Sequence, residues 1–125
     1  MEITLKIQPI SASRPRVTRW GVYYGKRYTA FRKEAVGVVS GIESPPDSPL
    51  PLSGPLKVSV MFYVRRPKTS KLDYPNPDID NYLKAVLDIL NGHVWCDDKQ
   101  IVDISGSKRW AKDEPSIVLK VEPME

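Results

Sequence analysis

The chain carries one cysteine, Cys96, and one histidine, His93, and no apolar run near the roughly 20 residues a membrane span needs. Each scarcity excludes something. A lone cysteine forms no internal disulfide, so a reducing cytoplasm is the expected location, with no membrane partner. One histidine and one cysteine do not make a zinc site, which needs a second pair of soft ligands. No second histidine is present to build a nucleophilic triad, and no glycine-rich phosphate loop occurs. Met1 to Ile7 alternates polar and apolar residues and lacks the basic-then-apolar layout of a signal peptide.

What is present fits a soluble globular protein. With 125 residues, 41% hydrophobic and 27% charged, one domain over residues 1–125 with a single core is expected. The net charge of +4 says less than its distribution. From Arg14 to Lys33 there are seven basic residues and no acidic one, interleaved with Trp20, Tyr23, Tyr24, Tyr28 and Phe31. Between Asp78 and Asp103 six aspartates stand against Lys84 and Lys99. A positive arm beside an acidic pocket suits a protein that holds a polyanion and places a metal ion on it. Two solvated faces of opposite sign would give the same distribution.

Hydrophobic periodicity predicts the order β-α-β-α-β-β, an α+β domain with two main helices on a mixed sheet. Residues 3–9 read as a half-buried strand, and Ser11 to Tyr28 as a loop or short hairpin. Thr29 is the expected cap of a helix reaching about Gly41. Residues 43–55 hold five prolines and form a loop. Leu56 to Val64 alternates cleanly as a strand. The strongest helix pattern runs from about Asp78 to Asn91, with Ile79, Tyr82, Leu83, Val86, Ile89 and Leu90 on one face and Gly92 as its stop. Strands over about 100–107 and 116–121 complete the domain.

The chemistry concentrates at Asp78, Asp80, Lys84, Asp97 and Asp98. Phosphodiester hydrolysis needs a hard divalent ion to polarise the phosphoryl oxygen, and Mg²⁺ is held by a few carboxylates while keeping several waters. With Asp78 in the extended lead-in and Asp80 in the first helical turn, both reach one ion; Asp97 or Asp98, after the helix returns, supplies a third carboxylate. Lys84, one turn beyond Asp80, is suited to a scissile phosphate. Plainer roles fit the same residues. Asp78 and Asp80 suit an N-cap and the helix dipole, Asp80–Lys84 is an ordinary i,i+4 pair, and Asp97–Asp98 are common turn residues.

At these residues the chain resembles the RusA-type Holliday-junction resolvases. The resemblance lies in Asp78-Ile79-Asp80-Asn81 entering a helix, Lys84 four residues on, and the turn Trp95-Cys96-Asp97-Asp98-Lys99-Gln100-Ile101. It is sharp over about residues 78–107 and looser at Arg14-Pro15-Arg16. The proline-rich loop at 43–55 has no match in the pattern. The resemblance implies that Asp78, Asp80 and Asp98 bind Mg²⁺ (with Mn²⁺ as substitute and Asp97 as a further candidate ligand) and that Lys84 is required for catalysis. It also implies a homodimer making paired, symmetric cuts across a four-way DNA junction in recombination and repair, encoded by a bacterium, phage or prophage.

Given that resemblance, Arg14, Arg16, Arg19 and Arg27 are expected to neutralise phosphates. Arg65, Arg66, Lys68 and Lys71 form a second candidate DNA-binding patch, and Lys108, Arg109 and Lys112 a third. Trp20, Tyr23 or Tyr24 would stack on an unpaired base or belong to a hairpin core, with two of the five aromatics expected in the core. A non-catalytic basic DNA-binding module, or a subunit binding an acidic protein, are the competing readings.

Overall fold

The computed structural model describes residues 1–13 and 16–124. Arg14 lies outside the described residues. In chain order the elements are β1 (Glu2–Leu5), β2 (Arg16–Thr18), β3 (Gly21–Tyr23), α1 (Lys26–Ser40), β4 (Leu56–Val64), α2 (Ile79–Leu90), β5 (Ile101–Trp110) and β6 (Ser116–Pro123). A 3-10 turn over Asp98–Gln100 leads into β5. The fold is α+β with a mixed sheet and two helices, as the periodicity predicts. Its order differs from the expected one by the β2–β3 hairpin.

The alternating Leu56–Val64 segment becomes an inner strand of a four-stranded sheet ordered β1-β6-β4-β5. Its alternation buries Leu56, Val58, Val60, Phe62 and Val64 on one face. β6 runs antiparallel to β4 and β5 parallel to it. A parallel neighbour requires a crossover, and α2 supplies it. Both helices feed one core: Tyr28, Phe31, Ala35 and Val39 from α1, and Tyr82, Ala85, Val86 and Leu90 from α2, join the buried sheet residues. Tyr82 stacks on Phe62 with ring centres 5.2 Å apart. A Cβ on Gly106 would sit 3.0 Å from Leu83 Cδ2, so the glycine lets α2 approach β5 closely. Gly92, at φ +82, adopts the left-handed conformation that ends α2. β5 is an edge strand, with Val102 and Ile104 exposed.

The expected start of α1 at Thr29 is corrected. The helix begins one turn earlier, at Lys26, with Gly25 as N-cap and no side-chain cap. Burial of Tyr28 in the first turn outweighs the capping preference of threonine, since burying such a side chain is worth about 1.5–3 kcal/mol and a cap about 1 kcal/mol. The first strand is also shorter than expected, although Ile7 and Pro9 beyond it remain buried.

The proline-rich loop is tied to the turn after α2. Leu52 N–H donates to Val94 C=O at 2.7 Å, and the Gln100 amide donates to the carbonyls of Leu52 (3.0 Å) and Gly54 (2.9 Å). Trp95 beneath is fully buried, and its indole N–H has no partner among the described residues. Burying 150–250 Å² of aromatic surface yields about 4–6 kcal/mol, which outweighs about 1–3 kcal/mol for the unmet donor. Gln100→Ala removes both amide bonds and the acceptor for Asp97 N–H. It is expected to destabilise the fold by about 1–3 kcal/mol, read as a lower urea midpoint. An unchanged midpoint would show that the clamp contributes nothing.

Candidate active site at the two ends of α2

Asp78 stands at the N-cap of α2 in an extended conformation (φ −64, ψ 143). Its carboxylate makes no capping hydrogen bond. Asp80, in the first turn, accepts the adjacent Asn81 N–H through Oδ1 at 3.0 Å. Both are exposed, and Lys84 is exposed one turn further along. The ion pair found among the described residues joins Arg65 to Glu114 at 3.6 Å; none joins Asp80 to Lys84. The two plainer roles, side-chain cap and i,i+4 pair, are therefore not the ones these side chains perform.

The lead-in is held from behind. Lys108, near the end of β5, donates through Nζ to the carbonyls of Pro75 (2.8 Å) and Pro77 (2.7 Å). Its ammonium is thereby engaged in fixing the approach to Asp78. Backbone carbonyl acceptors leave no signature in the sequence, so this positioning residue was not legible there. Beside it opens a cleft of about 530 Å³, lined by Lys26, Arg27, Arg65, Asn76, Tyr82 and Trp110 among others. Lys26, Arg27 and Arg65 give this cleft a basic lining that suits an anionic chain.

The third carboxylate lies elsewhere. Asp97 and Asp98 follow α2, at the start of β5, whereas Lys108 marks the end of β5 beside Asp78. The 12 residues of α2 separate the two ends by about 18 Å. Among the described residues no three His, Cys, Asp or Glu side chains gather closely enough to hold one ion. Asp97 is occupied in a capping box: its Oδ1 accepts Lys99 N–H at 2.9 Å, and its own N–H donates to Gln100 Oε1 at 2.9 Å. The Lys99 N–H holds the Asp97 carboxyl below the usual range. Asp98 is exposed. Its carboxyl is pushed up by partial burial, then by hydrogen bonding to Asp97 and by the charges of Asp97 and Asp88. Asp88 is engaged across the helices, accepting the Tyr28 hydroxyl at 2.6 Å. Burial and, after it, that bond drive the Tyr28 hydroxyl far upward.

The chemistry of two neighbouring carboxylates fits Mg²⁺, which commonly takes one or two from a protein; Asp78 and Asp80 would supply them, with water completing the shell. Asp98 stands apart from this pair, at the far end of α2.

Of the candidate DNA-binding residues, Arg16, Arg19 and Arg27 are exposed on or next to the hairpin, and Arg65, Arg66, Lys68 and Lys71 are exposed in the loop before α2. Arg19 lies over the Trp20 ring at 5.0 Å and Arg66 over Trp110 at 5.7 Å. Of the five arm aromatics, Tyr28 and Phe31 are buried, but on α1 and not in a hairpin core as expected, while Trp20, Tyr23 and Tyr24 are exposed. His93 and Cys96 are both exposed.

No helix among the described residues is long and apolar enough to cross a membrane. Uncharacterized protein YqaN of Bacillus subtilis (strain 168) is 28% identical over 141 aligned residues, covering 97% of this chain and 94% of that protein. The family described as Endodeoxyribonuclease RusA matches residues 6–122, nearly the whole chain. The chain therefore belongs to the RusA endodeoxyribonuclease family.

Proposed function

We propose that this protein is a Mg²⁺-dependent endonuclease that resolves four-way DNA junctions by paired, symmetric cuts, acting as a homodimer. The observation that carries the reading is the pair Asp78 and Asp80, exposed at the start of α2 and not spent on capping, with Lys84 one turn on and not tied to Asp80. A bound divalent ion supplies polarisation of the phosphoryl oxygen and acidification of water. Asp78 and Asp80 would hold it, and Mn²⁺ would be accepted by the same oxygen ligands. The Lys84 ammonium counters the negative charge that grows on the phosphate. Water would be the nucleophile, as in metal-assisted phosphodiester hydrolysis.

The separation of Asp98 from Asp78 and Asp80 supports a site completed between two subunits. β5 is a sheet edge, and antiparallel pairing of β5 with its copy would run the start of one strand past the end of the other. Asp98 of the partner subunit would then approach Asp78 and Asp80. The same contact would cover Val102 and Ile104. A two-fold dimer of this kind presents two sites to a two-fold substrate. Arg16, Arg19, Arg27, Arg65, Arg66, Lys68 and Lys71 would neutralise phosphates, giving binding that weakens steeply with salt; Arg14 joins them on sequence grounds.

The test is incubation with an end-labelled four-way junction and a matched linear duplex, in Mg²⁺ and in EDTA. Nicks confined to the junction and lost in EDTA are expected. Equal cutting of both substrates, or cutting that survives EDTA, contradicts the reading.

A further inference from the structure

The β2–β3 hairpin is exposed at every residue of both strands. Its apolar side chains are open to water: Val17 and Trp20 are each 76% exposed, Val22 57% and Tyr23 51%. Leaving such a group of side chains in solvent is unfavourable, and clustering of this kind marks a binding surface.

Two bonds root the hairpin beside the candidate site. Ala12 N–H donates to Asn81 C=O at 2.9 Å, next to Asp80, and Gly25 N–H donates to Ser13 Oγ at 3.0 Å, closing the base. The tip is preorganised. Thr18 Oγ1 accepts Trp20 N–H at 3.2 Å and donates to Gly21 C=O at 3.3 Å, and the Tyr23 hydroxyl donates to Trp20 C=O at 3.2 Å. Gly21, at φ +135, supplies a turn conformation that other residues rarely adopt. The result holds an indole outward with the Arg19 guanidinium over it.

We propose that this hairpin is a wedge: Trp20 enters the branch point of a DNA junction and stacks on the base pair at the crossover, while Arg16 and Arg19 meet the flanking phosphates. The inference rests on the junction-nuclease reading and deepens it. Charge selects DNA as the occupant, since no acidic residue lies between Arg14 and Lys33. An indole face recognises any base without sequence preference, and apolar wedges between base steps are a general means of opening DNA. The bond from Ala12 to Asn81 ties the base of the hairpin to the helix that carries Asp80.

The test uses a four-way junction carrying 2-aminopurine at the branch pair, or in an arm away from it, bound without divalent metal. The wild-type protein is expected to raise fluorescence at the branch pair only. Trp20→Ala is expected to lose that rise and to weaken junction binding about tenfold or more, while Trp20→Phe keeps most of both. Far-UV circular dichroism and light scattering report fold and oligomeric state. Wild-type protein that cuts junctions without raising the branch signal overturns the wedge but not the nuclease reading. Failure to bind junctions at all overturns both. Trp20→Ala that keeps the signal but loses dimer mass overturns the wedge and makes the hairpin an arm between subunits.

Discussion

Asp80→Asn is expected to abolish junction cutting, by about 10³-fold or more, while junction binding is retained or tightens. The loss follows from weakening a carboxylate that is proposed to hold the ion, whose transition-state stabilisation would be several kcal/mol; about 4 kcal/mol corresponds to about 10³-fold. The fold should survive. Asp80 is exposed, and its contact with Asn81 N–H uses an oxygen that asparagine also offers. Loss of the first-turn charge costs about 0.3–1 kcal/mol through the helix dipole. Binding is spared because the removed charge opposes the phosphates. Gel shift, cleavage and thermal melting on one preparation separate these effects, and retained cutting would remove Asp80 from the site.

The second large effect is complementation. Asp80→Asn and Asp98→Asn homodimers are each expected to be inactive, yet a co-refolded mixture should recover cutting. In the mixed dimer one site would carry both substitutions and be doubly defective. The other would combine an intact Asp78–Asp80 pair with an intact Asp98 from its partner. Sites contained within one chain would leave both halves of the mixed dimer damaged and give no recovery. The mixed dimer should make single nicks instead of paired cuts, which checks that the recovered activity arises from one site. This outcome turns on the distance that α2 imposes between its ends.

Much of the fold was legible in the sequence where hydrophobic periodicity is strong. The alternation of Leu56–Val64 and the apolar stripe from Ile79 to Leu90 predict β4 and α2 to within a residue. The start of α1 was not legible, because the capping signal of Thr29 competes with a burial that only the tertiary structure assigns to Tyr28. The Tyr28–Asp88 bond spans 60 residues and has no local trace. The candidate site was half legible. Spacing identifies Asp78, Asp80 and Lys84 as one group because they stand at the start and on the first turns of one helix. It misleads for Asp98, whose nearness in the chain conceals a whole helix length in space. The capping box that occupies Asp97 is readable as Asp97-x-x-Gln100, but the same four residues also read as part of the family turn.

Junction resolution is tested most directly on a supercoiled plasmid bearing an extruded cruciform, followed in Mg²⁺ and in EDTA. Linear plasmid is expected, formed with little nicked intermediate and cut symmetrically at the cruciform base, with no product in EDTA. Tight cruciform binding by the folded protein with no linear or nicked product in either Mg²⁺ or Mn²⁺ would contradict it, and would leave Asp78, Asp80 and Asp98 as surface residues of a DNA-binding module.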